Sequence, residues 1–407
     1  MPKRLITFSS ESGNSTKIHQ FRIGQGISPE LQPIPEGAIV GAPSGWPSLF
    51  QSPAGDFLGA ASGGTAGVEG LYYWTDPLDL TTGAKITTPV FSGSVNCGAA
   101  SNELLAIAGN NPFLYVLSRS DMSLKAVSTS GLGQVYAVAF SPDGSMLAVY
   151  HATAPYLRVY KTSDWSFVNV ASGVQPSAPS LAVNGLTFSL DGAKLITASN
   201  GSLNIYNSAT LARIVLTPTS WAGALILSKT NANHGFMAMH GTTNPCAARV
   251  DLTTGALSNV TGAPNCAGYS LALDDRERVL YVSLSAVSGD IFIRHFDADT
   301  LQELPIERGS LHQQVRAPSA ALLILDTTPH QITGSVRDVG NNPAQRQVEA
   351  FDRNSSRLAA KTVSDPVTGN YVLRTNSAGP FDVRFKAANG ELLNDLFYAK
   401  VMAEPIA

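Results

Sequence analysis

Residues 135–170 read VYAVAFSPDGSMLAVYHATAPYLRVYKTSDWSFVNV. A short apolar strand ends at Phe140, and the turn Ser141-Pro142-Asp143-Gly144 follows. An apolar strand over Met146–His151 comes next, then a variable loop, a strand over Tyr156–Tyr160, a polar turn and a last strand near Phe167–Val170. The turn residues each have a physical reason to be there. Pro142 presets φ, Asp143 can bond its own backbone, and Gly144 takes a positive φ at little cost.

The unit recurs at residues 184–216, NGLTFSLDGAKLITASNGSLNIYNSATLARIVL, with Leu190-Asp191-Gly192 in place of Pro-Asp-Gly. Its second strand is a ruler, found at Phe57–Ser62, Leu104–Gly109, Met146–His151, Lys194–Ser199, Phe236–Gly241 and Val279–Leu284. The spacings of 47, 42, 48, 42 and 43 residues match one four-stranded blade of a β-propeller per copy. Third strands recur at Leu71–Trp74, Phe113–Leu117, Tyr156–Tyr160, Leu203–Tyr206, Ala247–Asp251 and Ile291–His295. Polar turns such as Asp251-Leu-Thr-Thr-Gly255 and Asp297-Ala-Asp-Thr300 then lead into a fourth.

Six units lie inside the chain, and its ends supply a seventh. Arg4–Ser9 reads as a second strand lacking a first, Lys17–Ile23 as a third, and Pro318–Leu325 as the missing first. A proline is tolerated at a strand's first position. The expectation is an all-β chain: a seven-bladed β-propeller over residues 1–328, closed by N- and C-terminal strands, followed by a small β-sandwich over 329–407. Closure by shared strands removes two exposed sheet edges. A long sandwich or solenoid, or a count of six or eight blades, stays open as an alternative.

After the polar boundary Asp326–His330 the pattern changes to alternation at strand period. Strands are expected over Gln331–Arg337, Gln347–Asp352, Leu358–Val363, Gly369–Thr375, Phe381–Lys386 and Asp395–Val401.

Composition narrows the function class. The 407 residues are 44% hydrophobic but only 14% charged, and the net charge is −3. There is no basic footprint for nucleic acid. No apolar run is long enough for a membrane span, and Met1–Ser10 lacks the apolar stretch and cleavage site of a secretory signal. Folding in a cytoplasm, without membrane insertion, is the expectation. Three cysteines, Cys97, Cys246 and Cys266, form no C-x-x-C pair. They read as small buried residues, with a Cys246–Cys266 bridge left open.

Groups able to carry chemistry are scattered. His19, His151, His234, His240, His295, His312 and His330 match no metal box. Asp143 and Asp191 read as turn builders, Asp274 and Asp275 fall near the equivalent place in a later copy, and Asp297-Ala-Asp299 is a lone D-x-D. No nucleophile elbow, zinc box or phosphate loop occurs. No catalytic, cofactor-binding or metal-binding residue is therefore assigned, and no cofactor is expected. Trp46, Tyr72, Tyr73, Trp74, Trp165 and Trp221 could stack on a sugar, against the simpler reading that they pack between blades.

Two resemblances bear on these expectations. The Ser-Pro-Asp-Gly turn, the apolar strand after it and the Leu-Arg-Val-Tyr strand resemble WD-repeat and lactonase-like propellers over residues 1 to about 328. The Trp-Asp dipeptide of WD repeats is absent, as is the sialidase-type Asp box, so this resemblance speaks to fold. Ile332-Thr-Gly-Ser-Val336, Pro343–Val348 and the Ser-Asp-x-x-Thr-Gly-x-Tyr turn resemble the carboxypeptidase-regulatory, or transthyretin-like, module. The endings Phe385-Lys386 and Asp395–Val401 resemble the version at the C-terminus of bacteriophage tail and other virion proteins.

That resemblance implies a structural or adhesive attachment domain. The expected function is a non-enzymatic structural component of a bacteriophage virion, in the tail or its distal adsorption apparatus. Other tail proteins would be its partners in a symmetric multi-copy assembly, with a host surface receptor as a further partner. A glycan- or protein-binding receptor module, with the loop Ser62–Gly70 as its contact, is the alternative reading. A lactonase-like hydrolase is the third.

Overall fold

The computed structural model describes residues 4–11, 15–23, 31–39, 48–53, 57–62, 70–74, 84–86, 95–109, 113–128, 131–170, 185–199, 201–219, 222–229, 231–239, 245–261, 267–274, 278–285, 291–304, 321–325, 330–338, 340–352, 358–375, 381–386, 396–402 and 404–405. Among them the regular elements are all strands, paired antiparallel throughout the sheets. No helix long and apolar enough to cross a membrane occurs among them. One compact unit holds Arg4–Pro53 and Phe57–Leu325, and a second contains Asp326–Ala407.

The first unit has seven sheets among its described residues. One takes β1 (Arg4–Glu11), β2 (Ser15–Ile23) and β3 (Leu31–Ile39). The next take β4 (Ser48–Gln51), β5 (Leu58–Ser62), β6 (Gly70–Trp74) and β7 (Ala84–Ile86), then β8 (Val95–Ala100), β9 (Leu104–Gly109), β10 (Phe113–Ser118) and β11 (Leu124–Ser128). The 135–170 unit forms β12 (Val135–Phe140), β13 (Met146–His151), β14 (Leu157–Lys161) and β15 (Phe167–Asn169). Its repeat forms β16 (Leu186–Phe188), β17 (Lys194–Ser199), β18 (Ser202–Asn207) and β19 (Arg213–Pro218). Two more hold β20 (Ala222–Leu227), β21 (His234–Met239), β22 (Ala247–Asp251) and β23 (Leu257–Asn259), and β24 (Ala267–Asp274), β25 (Val279–Ser285) and β26 (Ile291–Asp297). The last strand, β27 (Ala321–Leu325), joins the first sheet, in the order β27-β1-β2-β3.

Chain ends thus share one sheet: Arg4 pairs with Leu325 and Phe8 with Ala321. The strand expected to lack a partner finds it where the sequence placed one. β3 carries Pro33 and Pro35, which suits its place at the sheet edge, where a missing N–H costs no ladder bond. Three ruler strands have the expected bounds; β5 begins one residue later at Leu58, β25 ends one later at Ser285, and β21 begins two residues before the expected Phe236. The reason is local: Asn231 Oδ1 accepts from Asn233 N and closes the preceding turn earlier.

No single sheet closes on itself. The first strands of successive sheets are neighbours: β4 beside β8, then β12, β16, β20, β24 and β27, with β27 again beside β4. The core lies between sheets. One buried cluster joins Leu114 and Val116 of one sheet to Val138, Leu147 and Tyr160 of the next. Another joins Ala148 and Tyr150 to Leu186, Phe188 and Tyr206.

Two devices repeat. A buried serine follows the first strand of five sheets: Ser52, Ser101, Ser141, Ser189 and Ser228. Its backbone N–H bonds across the turn to Phe57, Leu104, Met146, Lys194 and His234 respectively. In the clearest copies the hydroxyl accepts from Met146 N at 2.9 Å and Lys194 N at 2.8 Å, and donates to Asp143 and Asp191 at 2.5 Å. After the third strand of five sheets an i→i+4 backbone bond closes a turn on a left-handed residue: Met122, Trp165, Leu211, Gly255 and Leu301. Carboxylate or amide oxygens at Asp121, Asp164, Asn207, Asp251 and Asp297 collect the turn's N–H groups.

The second unit has two sheets among its described residues. β28 (His330–Ser335), β31 (Asn370–Thr375) and β34 (Glu404–Pro405) make one, in the order β31-β28-β34. β29 (Gln347–Asp352), β30 (Leu358–Val363), β32 (Phe381–Phe385) and β33 (Leu396–Val401) make the other, in the order β30-β29-β32-β33. Ile332 and Leu373 of the first sheet bury against Val348, Ala350, Phe381, Val383 and Phe385 of the second. The expected first strand stops at Ser335 because Val336 turns to bond Gly369 and Ala344.

Candidate functional site

The residues singled out from sequence fall in separate places. Asp143 and Asp191 are exposed turn builders, held below the usual carboxylate range first by the hydroxyls of Ser141 and Ser189. Asp274 is buried at the end of β24. Asp297 caps its turn, and Asp299 takes two nitrogens of Arg278, the nearer at 2.7 Å. Tyr72 and Trp74 are buried, Tyr73 stacks on Phe57 with centroids 5.6 Å apart, and Trp165 is half-buried in its left-handed turn. These rings face cores and turns, not one common platform. His234 is half-buried beside Asn231, and His295 is buried near Tyr281. Trp46, Trp221, Gly63–Glu69, His240, His312, Asp275 and Cys266 lie outside the described residues, as do the side chains of His19 and His330. Cys97 is a buried thiol whose burial pushes its pKa up, so it stays protonated. Cys246 is also buried. No group of three His, Cys, Asp or Glu able to hold a metal occurs among the described residues.

One cluster does bring titrating and charged groups together. His151 ends β13 and is fully buried. Arg158, also buried, sits on β14, which pairs with β13 through Val149. The segment Gly131–Gln134 leads into β12 and accepts hydrogen bonds from Ala152 N and Thr153 N, which follow His151. His151 Nδ1 lies 2.9 Å from the Leu132 carbonyl, so Nδ1 must carry the proton. Nε2 is then a bare acceptor, buried and without a hydrogen-bond partner. Burial and then the Arg158 cation push the imidazole pKa down to about 4, against the opposite pull of the Leu132 carbonyl.

Arg158 is held on three sides. Nη1 donates to the Tyr160 hydroxyl at 3.1 Å and Nη2 to the Gly131 carbonyl at 3.4 Å. Its guanidinium lies 4.2 Å from the centroid of the half-exposed Phe167 ring. The Tyr160 hydroxyl in turn lies 3.0 Å from Ser128 Oγ of the preceding sheet. The cluster ties two sheets and their connection together. With His151 wholly buried, its imidazole cannot meet a substrate in this arrangement, so the chemistry open to it is proton uptake coupled to opening. Sequence placed His151 at a strand end but could not find its burial, because Leu132 comes from a different segment.

The second unit carries its own ion cluster. Glu349, buried on β29, pairs with Arg384 on β32 and with Lys386 Nζ at 2.8 Å, while Gln347 Nε2 donates to it at 2.7 Å. The Arg384 guanidinium lies 4.8 Å from the Phe351 ring centroid.

In comparison with known proteins, no protein family matches the chain, and no curated protein matches it significantly in sequence.

Proposed function

We propose that the chain is a non-enzymatic structural component of a bacteriophage virion, in the tail or its distal adsorption apparatus. In this reading residues 1–328 form a seven-bladed propeller, and residues 329–407 form the transthyretin-like sandwich that docks or presents it. Support for the propeller comes from one observation above the others: first strands neighbour one another from β4 round to β27 and back to β4, while β1 takes β27 as its partner. A ring tied by its own two ends is a rigid disc without a frayed blade. Support for the attachment role comes from the charge-poor composition and from the second unit, whose Asp365–Gly369 turn lies in the stretch resembling the transthyretin-like module and whose endings Phe385-Lys386 and Asp395–Val401 resemble its virion version. The protein would be assembled in the host cytoplasm with other tail proteins and act by geometry, in assembly and host attachment.

Quantitative mass spectrometry of purified particles tests this. The chain should be present at a fixed, symmetry-related copy number. A soluble monomer missing from every particle would overturn the proposal. Deleting Ser62–Gly70 tests the receptor-contact refinement: adsorption to host cells should fall, and unchanged adsorption removes it.

A further inference from the structure

The segment Gly131–Gln134 is fastened to the hairpin between β13 and β14 by four hydrogen bonds. Ala152 N donates to the Gln134 carbonyl at 2.8 Å and Thr153 N to Leu132 at 3.3 Å. His151 Nδ1 donates to Leu132 at 2.9 Å and Arg158 Nη2 to Gly131 at 3.4 Å. Leu132 itself is fully buried, as a plug. Two of the four fastenings come from side chains, and one of these is a histidine.

The second nitrogen of that histidine decides what acid would do. Nε2 is buried and has no hydrogen-bond partner. A second proton there would have no acceptor, and its charge would sit in a desolvated place beside Arg158. The ionisable groups on the surrounding elements are Arg158, Tyr160 and, at its far end, Lys161 on β14, Tyr150 and Tyr156 on the histidine's own hairpin, and Tyr136 on β12; Gly131–Gln134 carries none. No carboxylate stands on these elements to receive an imidazolium. Closed, the segment therefore excludes the charged form; open, the imidazole meets water and takes its proton freely.

We propose that Gly131–Gln134 is an acid-released latch, in which protonation of His151 frees Leu132 and loosens the joint between the β8–β11 and β12–β15 sheets. The sign follows from linkage. A histidine whose folded pKa is depressed stabilises the closed form fully above its ordinary value near 6.5, and that stabilisation is lost as pH falls toward about 4.

Amide hydrogen exchange of the full chain, read by mass spectrometry on peptides covering 131–134 and 151–157, tests the latch. After correction for intrinsic rates, the opening constant should rise about thirtyfold between about pH 7.5 and about pH 5. His151→Gln keeps a donor for Leu132 but cannot titrate, so its rise should vanish. Arg158→Met removes the neighbouring cation and should shrink the rise. An equal rise in wild type and His151→Gln overturns the proposal. If His151→Gln does not fold, NMR titration of the wild-type imidazole decides: a resonance that titrates near 6.5 with no accompanying exchange change also overturns it.

Discussion

Arg119, in the turn after β10, places its guanidinium 5.0 Å from the ring centroid of Phe57, which lies just before β5 in the neighbouring sheet. The same side chain donates from Nη1 to the carbonyls of Ser101 and Asn102, at 2.8 and 2.9 Å, and is only 3% exposed. A single buried cation therefore closes one turn and caps the ring of the adjoining sheet. Arg119→Ala should cost about 2–4 kcal/mol, because two carbonyls lose a charged donor and the ring loses its cover. Arg119→Lys should recover less than half, since an ammonium cannot both stack and fork. Urea midpoints of the two variants check this.

The buried serines predict an additive loss. Ser141 and Ser189 occupy the same place in consecutive sheets, and each hydroxyl satisfies one backbone N–H and binds one carboxylate. Ser141→Ala and Ser189→Ala should each cost about 1 kcal/mol, and the double variant about 2, because the turns share no partner. The urea midpoint should fall with the slope unchanged.

These serines also mark where the sequence was legible. The copies at Ser141 and Ser189 stand out because Asp-Gly follows, and Gly144 and Gly192 take positive φ. At Ser52 the proline and glycine also persist and only the aspartate is replaced, by Ala54, whereas at Ser101 and Ser228 the serine persists while the rest of the turn differs; all three keep the cross-turn bond made by the serine backbone N–H. Six second strands could be read because their apolar runs repeat at nearly constant spacing. β3 escaped because Pro33 and Pro35 break a strand pattern, which an edge position tolerates. β34 escaped because two residues, Glu404 and Pro405, carry no period. The His151 cluster was invisible for a different reason: burial by Leu132 and the charge of Arg158 arise from pairing, not from any local pattern.

Two left-handed glycines should respond differently to one methyl group. Gly201 has φ +92° with open space around it, so Gly201→Ala should cost only the backbone strain, about 1 kcal/mol. Gly369 has φ +73°, and a Cβ there would overlap the Val336 carbonyl oxygen. The Gly369 carbonyl also accepts from Val336 N at 2.9 Å, so the overlap cannot be relieved without losing that bond. Gly369→Ala should cost about 3 kcal/mol or more. Thermal unfolding of the two variants, followed with probes in each unit, would show the difference.

The Glu349 cluster predicts an acid dependence in the second unit. Burial alone would raise this carboxyl, but bonds from Lys386 and Arg384 outweigh it and leave the pKa lowered. A carboxylate lowered on folding contributes stability that is present above its ordinary range near 4.5 and is lost as pH falls through the folded value. Glu349→Gln leaves Arg384 and Lys386 without their shared anion and should cost about 2 kcal/mol at neutral pH. The gap between variant and wild type should close in acid. A gap that is constant across the pH range would mean that packing, not charge, sets the effect.

The shared sheet of the chain ends gives the sharpest test of the ring. β1 lies between β27 and β2, with Arg4 paired to both Leu325 and Arg22, and Phe8 to both Ala321 and Ile18. Removing Pro2–Ser9 therefore deletes six of the eight residues of a central strand, leaving β27 without its ladder partner and β2 with only the Ser10 and Glu11 pairings. If the first strands close a ring, the loss propagates: β27 loses the pairing that holds it in the sheet, and it is the neighbour of both β24 and β4. The truncated chain should show a lower Tm for the whole first unit in one transition, with the second unit's transition unmoved. A local effect confined to β2 and β3, or an unchanged Tm, would mean that the seven sheets form an open array whose ends merely touch.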